Sequence, residues 1–409
     1  MKPFDQNSAF ESRARRRFLT RATALGASTL MGSHAGPVFA QSRGPLKIGM
    51  LDSFSKAWIG LGEDHLDGFN LYLDSVGGEM AGRKVELIRE DDELNPQIGL
   101  QKLKKLVESD KCDLIVGIQS SAVLMSVVEY VRQSKRLFIC TGAGADAASY
   151  VNVPNMFRTS TSTWQSNNAM GEWFYANIAK EAVLTASDFA GGRDTLAEFK
   201  RSFMKKGGKV IQEIYPALGT TDFSPYLAVL RSINPPATYN FYGGSDATRF
   251  VKQYAEAGLK SKIRCTGAGF MVEQDVLPAQ GDAALGIINA QHYSDALTNP
   301  ENIKFVADYM TKYKKIPSVY AEYSYVGARF VHEMLKLTGG DTSNTEAMQT
   351  ALLKVKFNAP RGPVSLDSAT HNVVHNVYVR EVARVDGRLT NKVLGMLREQ
   401  LRDPAVREV

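Results

Sequence analysis

The chain has 409 residues, 44% of them hydrophobic and 22% charged, which leaves room for two ordinary domains at an average globular balance. The formal charge of +6 sits at the amino terminus. Residues 1–40 carry six basic side chains (Lys2, Arg13, Arg15, Arg16, Arg17, Arg21) and two acidic ones (Asp5, Glu11), leaving 43 basic against 41 acidic in the remainder. A near-neutral body lacks the concentrated basic face that nucleic acid requires, and no run of eighteen clean apolar residues in it supports a membrane-spanning helix.

The first forty residues read as an export leader. Ala14-Arg15-Arg16-Arg17-Phe18-Leu19-Thr20 precedes a weakly apolar run from Ala22 to Met31, and Val38-Phe39-Ala40 supplies small residues before Gln41. This is the three-part layout of a secretory signal, and the paired arginines before Phe-Leu resemble the twin-arginine type. Thr23, Gly26, Ser28 and Thr29 dilute the apolar run, which argues against a permanent anchor. With no cysteine at the cleavage point, lipid attachment there is excluded. A periplasmic location and a folded body starting near Leu46 are the expectation.

From Leu46 short apolar runs alternate with helical patterns. Strands are predicted at 46–51, 84–89, 114–117 and 136–140, and helices at 65–76, 95–107 and 122–131. The rhythm repeats with strands at 182–185, 210–214, 239–242 and 263–265 and helices at 194–205, 226–232 and 247–257. Helices follow at 303–313, 321–337 and 346–353, then antiparallel strands at 362–366 and 373–382. Such alternation predicts an α/β protein with two doubly wound, mainly parallel sheets. Cys112, Cys140 and Cys265 are odd in number and are expected as buried free thiols.

Ligands of open α/β sheets sit outside the carboxyl ends of the strands, so function is sought in the loops there. Those loops are rich in Gly, Ser, Thr and aromatic residues and poor in catalytic types. Gly142-Ala143-Gly144-Ala145-Asp146-Ala147 fits a loose GxGxxA but follows the fourth strand rather than the first, outside the context of a dinucleotide fingerprint. Glu90-Asp91-Asp92-Glu93 leads into a helix start, where acidic side chains favour the dipole. His292 has no evident Ser or Cys partner, and His371 and His375 lie in the strand region near the end. No CxxC pair, phosphate loop, GxSxG or HExxH is present. No catalytic residue, metal or cofactor is expected.

The loops carry a combined pattern. Lys47-Ile48-Gly49-Met50, Glu90-Asp91-Asp92, Gly117-Ile118-Gln119-Ser120-Ser121-Ala122, Phe157-Arg158-Thr159-Ser160, Thr221-Asp222-Phe223-Ser224, Tyr239-Asn240-Phe241-Tyr242-Gly243-Gly244 and Gly362-Pro363-Val364 follow in order. In this the chain, from Leu46 to about Arg398, resembles the leucine/isoleucine/valine-type (type I) periplasmic solute-binding proteins of ABC importers. The resemblance implies two lobes joined by three crossovers, near Thr159–Thr163, Ala290–His292 and Ala359–Gly362. The expected layout is a signal over 1–40, an amino-terminal lobe from 46–160 plus 292–360, and a carboxy-terminal lobe from 161–291 plus 361–409. It also implies a monomer that meets an ABC permease, with no nucleic-acid partner and no stable membrane insertion.

The family's site carries over residue by residue. Ser120 and Ser121 match the serine that hydrogen-bonds a ligand carboxylate; capping of the next helix is the plainer role. Gly142, Ala143 and Gly144 match the loop whose backbone N–H groups face that carboxylate. Trp58 falls on an aromatic lid position, Trp164 and Gln165 just beyond the first crossover, and Phe189 on a second-lobe aromatic position; core packing is the alternative for the aromatics. Amino-acid binders of the family place an acid in the loop matching Thr266–Phe270, whereas Ala268 stands there in this chain, beside Phe270. A buried ammonium without its anion is costly. The resemblance therefore points to the branch that binds aromatic or related carboxylates lacking an α-amino group, unless Asp188 or Asp222 replaces the acid. A branched-chain amino acid or amide as ligand, or an exported α/β enzyme, are the other readings.

Overall fold

The structure, a computed structural model, describes residues 44–146, 148 and 153–404; the arginine signal and its cleavage point lie outside the described residues. Two sheets are formed. The first collects Leu46–Asp52 (β1), Glu79–Met80 (β2), Arg83–Asp91 (β3), Leu114–Gly117 (β4), Phe138–Cys140 (β5) and Met156–Arg158 (β6). Their order is β2-β3-β1-β4-β5-β6, parallel except for the β2–β3 hairpin. The second collects Glu181–Ala186 (β7), Lys209–Ile214 (β8), Ala237–Phe241 (β9), Arg264–Ala268 (β10), Ile288–Gln291 (β11), Lys356–Ala359 (β12), Gly362–Leu366 (β13), Val373–Val385 (β14) and Arg388–Leu401 (β15). The order there is β12-β13-β14-β11-β10-β9-β7-β8, with β15 on β14.

Both sheets are covered on two faces, which is why β4 reads as an unbroken apolar run, Leu114-Ile115-Val116, rather than an alternating one. The helices Ile59–Ser75 and Val319–Leu337 bring Phe69, Tyr72, Val326 and Phe330 to one face of the first sheet. Pro96–Lys104 and Ser121–Ser134 bring Leu103, Val123 and Val127 to the other. In the second half Phe174, Phe199 and Phe203 cover one face and Leu227, Phe250 and Tyr254 the other. Each such fully buried side chain contributes about 1.5–3 kcal/mol relative to exposure. The three cysteines are buried and free, as expected.

Strand order places the site. β1 lies between β3 and β4, and β7 between β8 and β9, so the chain winds in opposite directions from each of these strands and a crevice opens at their carboxyl ends. In the first half the loops there carry Trp58 and Ser120-Ser121; in the second they carry Phe189 and Gly243. At the end of β4, Gly117 has φ +120° and a Cβ there would stand 2.2 Å from Leu51 O. Ile118 follows at φ +64°. Positive φ at a β-branched residue is strained, and it lies directly before the serine loop.

The chain crosses between halves after β6 and again after β11, where the helix Pro300–Tyr313 returns Phe305 and Tyr309 to the first half. β14 serves both: Val373 is buried in the core of the first half and Val377 in that of the second. Several elements are additional to the predicted ones. The helix Thr163–Asn177 lacks apolar periodicity because Gln165, Ser166 and Asn167 are buried within it. The strands β6, β11, β12 and β15 are also additional, and the helix predicted from Asp194 starts at Ala190.

Candidate functional site

The two halves meet over a row of rings. Trp58, 8% exposed, ends a short 3-10 turn, Lys56–Trp58, that the following helix continues. Its ring stands edge-on to Phe189 across the crevice, with centroids 6.1 Å apart. Phe189 lies 5.9 Å from Phe241, Phe241 lies 6.1 Å from Phe270, and Phe270 stacks on Tyr320 at 6.0 Å. Two of these contacts are edge-on and one stacked, arrangements aromatic pairs prefer, and the Phe189–Phe241 pair is tilted. The row starts and ends on the first half and passes through the second. Phe241 and Tyr320 had no place among the sequence candidates; Phe241 is the last residue of β9, so the rule of carboxyl strand ends could have found it.

Helix amino termini converge on the same crevice. Ser120 caps Ser121–Ser134, its hydroxyl accepting from Val123 N at 3.4 Å, and both serines are buried. Ser121 Oγ shares no hydrogen bond with another described residue, and a Cβ on Gly191 of the opposite half would stand 3.5 Å from it. Gly191 lies in the first turn of Ala190–Lys205, which starts at Phe189 without a side-chain cap. The helix Gly244–Glu256 also lacks one. Gly244 has φ +53°, and a Cβ there would come within 3.1 Å of Ala57 O, so glycine favours this close approach of the halves. Three helix starts, two of them with uncapped N–H groups, give the crevice a positive potential suited to an anion.

The remaining candidates divide. Gly142 is packed so closely that a Cβ would lie 2.7 Å from Gln119 Cγ. The N–H of Ala143 donates to Ile118 O at 2.8 Å and is spent on holding the loop. Gly144 O accepts from Thr163 N and from Thr163 Oγ1, each at 2.8 Å. Trp164 is half-buried, its backbone N–H held by Asp146 Oδ1 at 3.1 Å. Gln165 is fully buried and its amide is committed. Oε1 accepts from Ser162 N at 2.9 Å, and Nε2 donates to Val373 O at 2.8 Å and Leu401 O at 3.0 Å. It completes a capping box with Ser162, the signal by which the helix Thr163–Asn177 could have been found. Ala268 is 2% exposed and belongs to an apolar core cluster of the second half.

The acids near the crevice are mostly occupied. Asp188 pairs with Arg193 at 2.7 Å on the surface. Asp222 accepts from Ser224 N at 2.9 Å, and its hydrogen bonds to Ser224 hold its carboxyl below the usual range. Asp275 differs. Its Oδ1 is buried and has no hydrogen-bond partner among the described residues. Burial first, and then the nearby Asp64 carboxylate, push its pKa well above the ordinary value. Asp275 and Asp64 line a groove of about 480 Å³ between the halves, with Lys315 at its side. Among the described residues no group of three or more His, Cys, Asp or Glu side chains could hold a metal ion, and no helix is long and apolar enough to cross a membrane.

Comparison with known proteins agrees with this geometry. A family model described as periplasmic binding protein matches residues 45–388. A Brucella melitensis protein named Leu/Ile/Val-binding protein homolog 6 is 28% identical over 364 residues, covering 87% of this chain and 92% of that one. A solute-binding protein of an ABC transporter from R. palustris, solved in complex with benzoate, superposes with a TM-score of 0.84 at 33% identity, covering 89% of this chain and 99% of the other. Another from Rhodopseudomonas palustris BisB5, in complex with 3,4-dihydroxybenzoic acid, gives 0.84 at 32% identity, with 88% and 99% covered.

Proposed function

The chain belongs to the periplasmic binding proteins, and from that premise we propose that this solute-binding component of an ABC importer captures a small aromatic carboxylate between its lobes in the periplasm. The observation that carries the reading is the ring row from Trp58 to Tyr320 beside helix starts that favour an anion. The ligand carboxylate is assigned to Ser121 Oγ and the N–H groups of Gly142 and Gly144, and the ligand ring to Trp58, Phe189, Phe241 and Phe270. Gln165 and Ala143 act through the hinge and the loop they hold. Ala268 leaves no anion for an α-ammonium at that position, and Asp188 and Asp222 are engaged elsewhere.

Ligand contacts made by both lobes stabilise only the closed state, and closure presents one surface to the permease. We place the crossovers near Thr159–Thr163, near Ala290–His292 and inside β14. The third lies beyond Ala359–Gly362 because Val364, Leu366 and Val373 are buried in the first core. Export as a folded protein through the Arg15-Arg16 signal, action as a monomer and the absence of catalysis belong to the same reading. A second reading, a ligand with an ammonium group, is favoured by the unpaired carboxylate oxygen of Asp275. Thermal-shift and calorimetric titration of the mature protein with benzoate, hydroxybenzoates, cinnamate, leucine and isoleucine separates the two. Stabilisation by leucine and none by any aromatic acid would overturn the first reading.

A further inference from the structure

The helix Ile59–Ser75, which begins behind Trp58, is tied to three loops of the crevice. Gly62 lies so close to the loop after β1 that an added Cβ would stand 2.2 Å from Ser53 O. Leu61 O accepts from Gln119 Nε2, in the serine loop, at 2.8 Å. His65 reaches the third loop. Its Nε2 stands 2.9 Å from Thr141 O, just beyond β5, and its Nδ1 meets Asp52 Oδ2 at the end of β1. Asp52 Oδ1 accepts from Ser53 N at 3.0 Å. His65, Asp52 and Thr141 are all fully buried.

The proton positions follow from the partners. A carbonyl oxygen only accepts, so His65 Nε2 carries a hydrogen and donates it to Thr141 O. Two bare acceptors would repel each other at the Nδ1–Asp52 contact, so a proton lies there too, in a charge-assisted bond. The carbonyl of Thr141 shares its peptide group with the N–H of Gly142, and in a trans peptide the two point in opposite directions. Thr141 O faces His65, so the Gly142 N–H is turned to the other side, where the ligand carboxylate is assigned. A donor on the carbonyl draws charge along the amide and strengthens the bond made by its N–H by about 10–30%.

We propose that His65 is a positioning residue of the binding site: with Asp52 it holds the Thr141–Gly142 peptide in one orientation and polarises it, so that the Gly142 N–H is aimed at a carboxylate and strengthened for it. This role rests on the carboxylate reading of the crevice and deepens it, since it names a buried pair that never touches the ligand yet favours an anionic one. Packing alone would be met by any side chain of similar volume. The two ring nitrogens instead bridge the ends of β1 and β5, strands that β4 separates in the sheet. The helix starts draw an anion to the crevice in general, whereas a fixed peptide decides where its oxygens sit.

Asp52→Asn in the mature protein tests this with the hydrogen bonds kept. Its Oδ1 still accepts from Ser53 N, and its Nδ2 donates to Nδ1 of a neutral His65 that still donates to Thr141 O. Measuring at about pH 8 keeps Asp92, whose pKa burial raises to about 6, charged in both proteins. In the ligand-free protein the nitrogen resonance of the Gly142 amide should move upfield on Asp52→Asn. Benzoate affinity, read by calorimetric titration, should fall about threefold. His65→Leu, which frees the peptide to turn, should lose more; should it fail to fold, Asp52→Asn carries the test. A merely structural pair leaves both readouts unmoved in Asp52→Asn. An unmoved Gly142 resonance overturns the proposal, as does unchanged benzoate affinity in either variant. If the wild type itself fails to bind benzoate, the ligand reading falls, and the Gly142 resonance of the ligand-free protein alone decides whether the peptide is polarised.

Discussion

Replacing Ser121 by alanine should weaken benzoate binding and leave thermal stability alone, while replacing Ser120 should do the reverse. The two hydroxyls are adjacent and equally buried, but their surroundings differ. Ser120 Oγ accepts from Val123 N at 3.4 Å, near the outer limit for a cap. Its removal therefore costs about 0.5 kcal/mol, the low end for an N-cap. Ser121 Oγ faces the crevice opposite Gly191 and shares no hydrogen bond with another described residue. If it donates to a ligand carboxylate, the bond has a charged acceptor and contributes about 1.5–3 kcal/mol, or roughly tenfold to a hundredfold in affinity. Calorimetric titration gives the affinity and a melting scan gives the stability. A Ser121→Ala protein that binds benzoate as tightly as the wild type removes that hydroxyl from the site. One that loses stability without losing affinity makes it a packing group.

Three further outcomes follow from other parts of the molecule. Asp92 is fully buried, and burial, followed by the nearby Asp52 charge, raises its pKa from the ordinary carboxylate value to about 6. A raised carboxyl pKa costs stability above that value, and the cost disappears as pH falls from about 6 towards 4. Asp92→Asn keeps the acceptor for Ser53 Oγ and Leu94 N. It should stabilise the protein by at most about 3 kcal/mol near neutral pH and by nothing near pH 4; equal melting shifts at both pH values would refute the assignment. Glu322→Gln strands the fully buried Arg361 and should cost about 3–5 kcal/mol, read as an early chemical-denaturation midpoint; a change within 1 kcal/mol would mean that the cation finds water. Arg15→Lys with Arg16→Lys should leave the protein in the cytoplasm on fractionation, whereas normal periplasmic yield would assign export to the general secretory route.

What the sequence disclosed depended on how each element is stabilised. β4 matches its predicted limits because a strand buried on both faces must be an apolar run, and Leu114-Ile115-Val116 has no other use; β13 matches through alternation, with Val364 and Leu366 buried between more exposed neighbours. The helix Thr163–Asn177 stayed hidden because hydrogen-bonded polar residues share its buried face with Ala169, Met170 and Phe174: Asn167 accepts from the Tyr239 hydroxyl at 2.5 Å, and Gln165 is tied to two strands. Periodicity detects only the apolar kind of burial. The same limit shaped the site. Loops ending strands named Ser120, Ser121, Trp58 and Phe189, all of which the structure brings to the crevice. Ala143 lies in the loop after β5 and Gln165 in the first turn of the helix Thr163–Asn177, but their polar groups are spent on holding the chain. A residue's place in a motif shows where it lies along the chain, whereas its availability depends on what its donors already hold.

The place where the chain passes between the halves illustrates this most fully. Arg361, Glu322, His292 and His375 lie far apart in sequence, and nothing in composition or spacing brings the four together. Their meeting is a consequence of three passages crossing at one place. A buried ion pair is weak evidence of stabilisation, because desolvation offsets much of the attraction. Its value here is geometric. Arg361 ties Glu322 to Thr159, so the first passage cannot move independently of the helix Val319–Leu337. Such a pin holds Thr159 and the helix Val319–Leu337 in one fixed arrangement at the point where the chain passes between the halves.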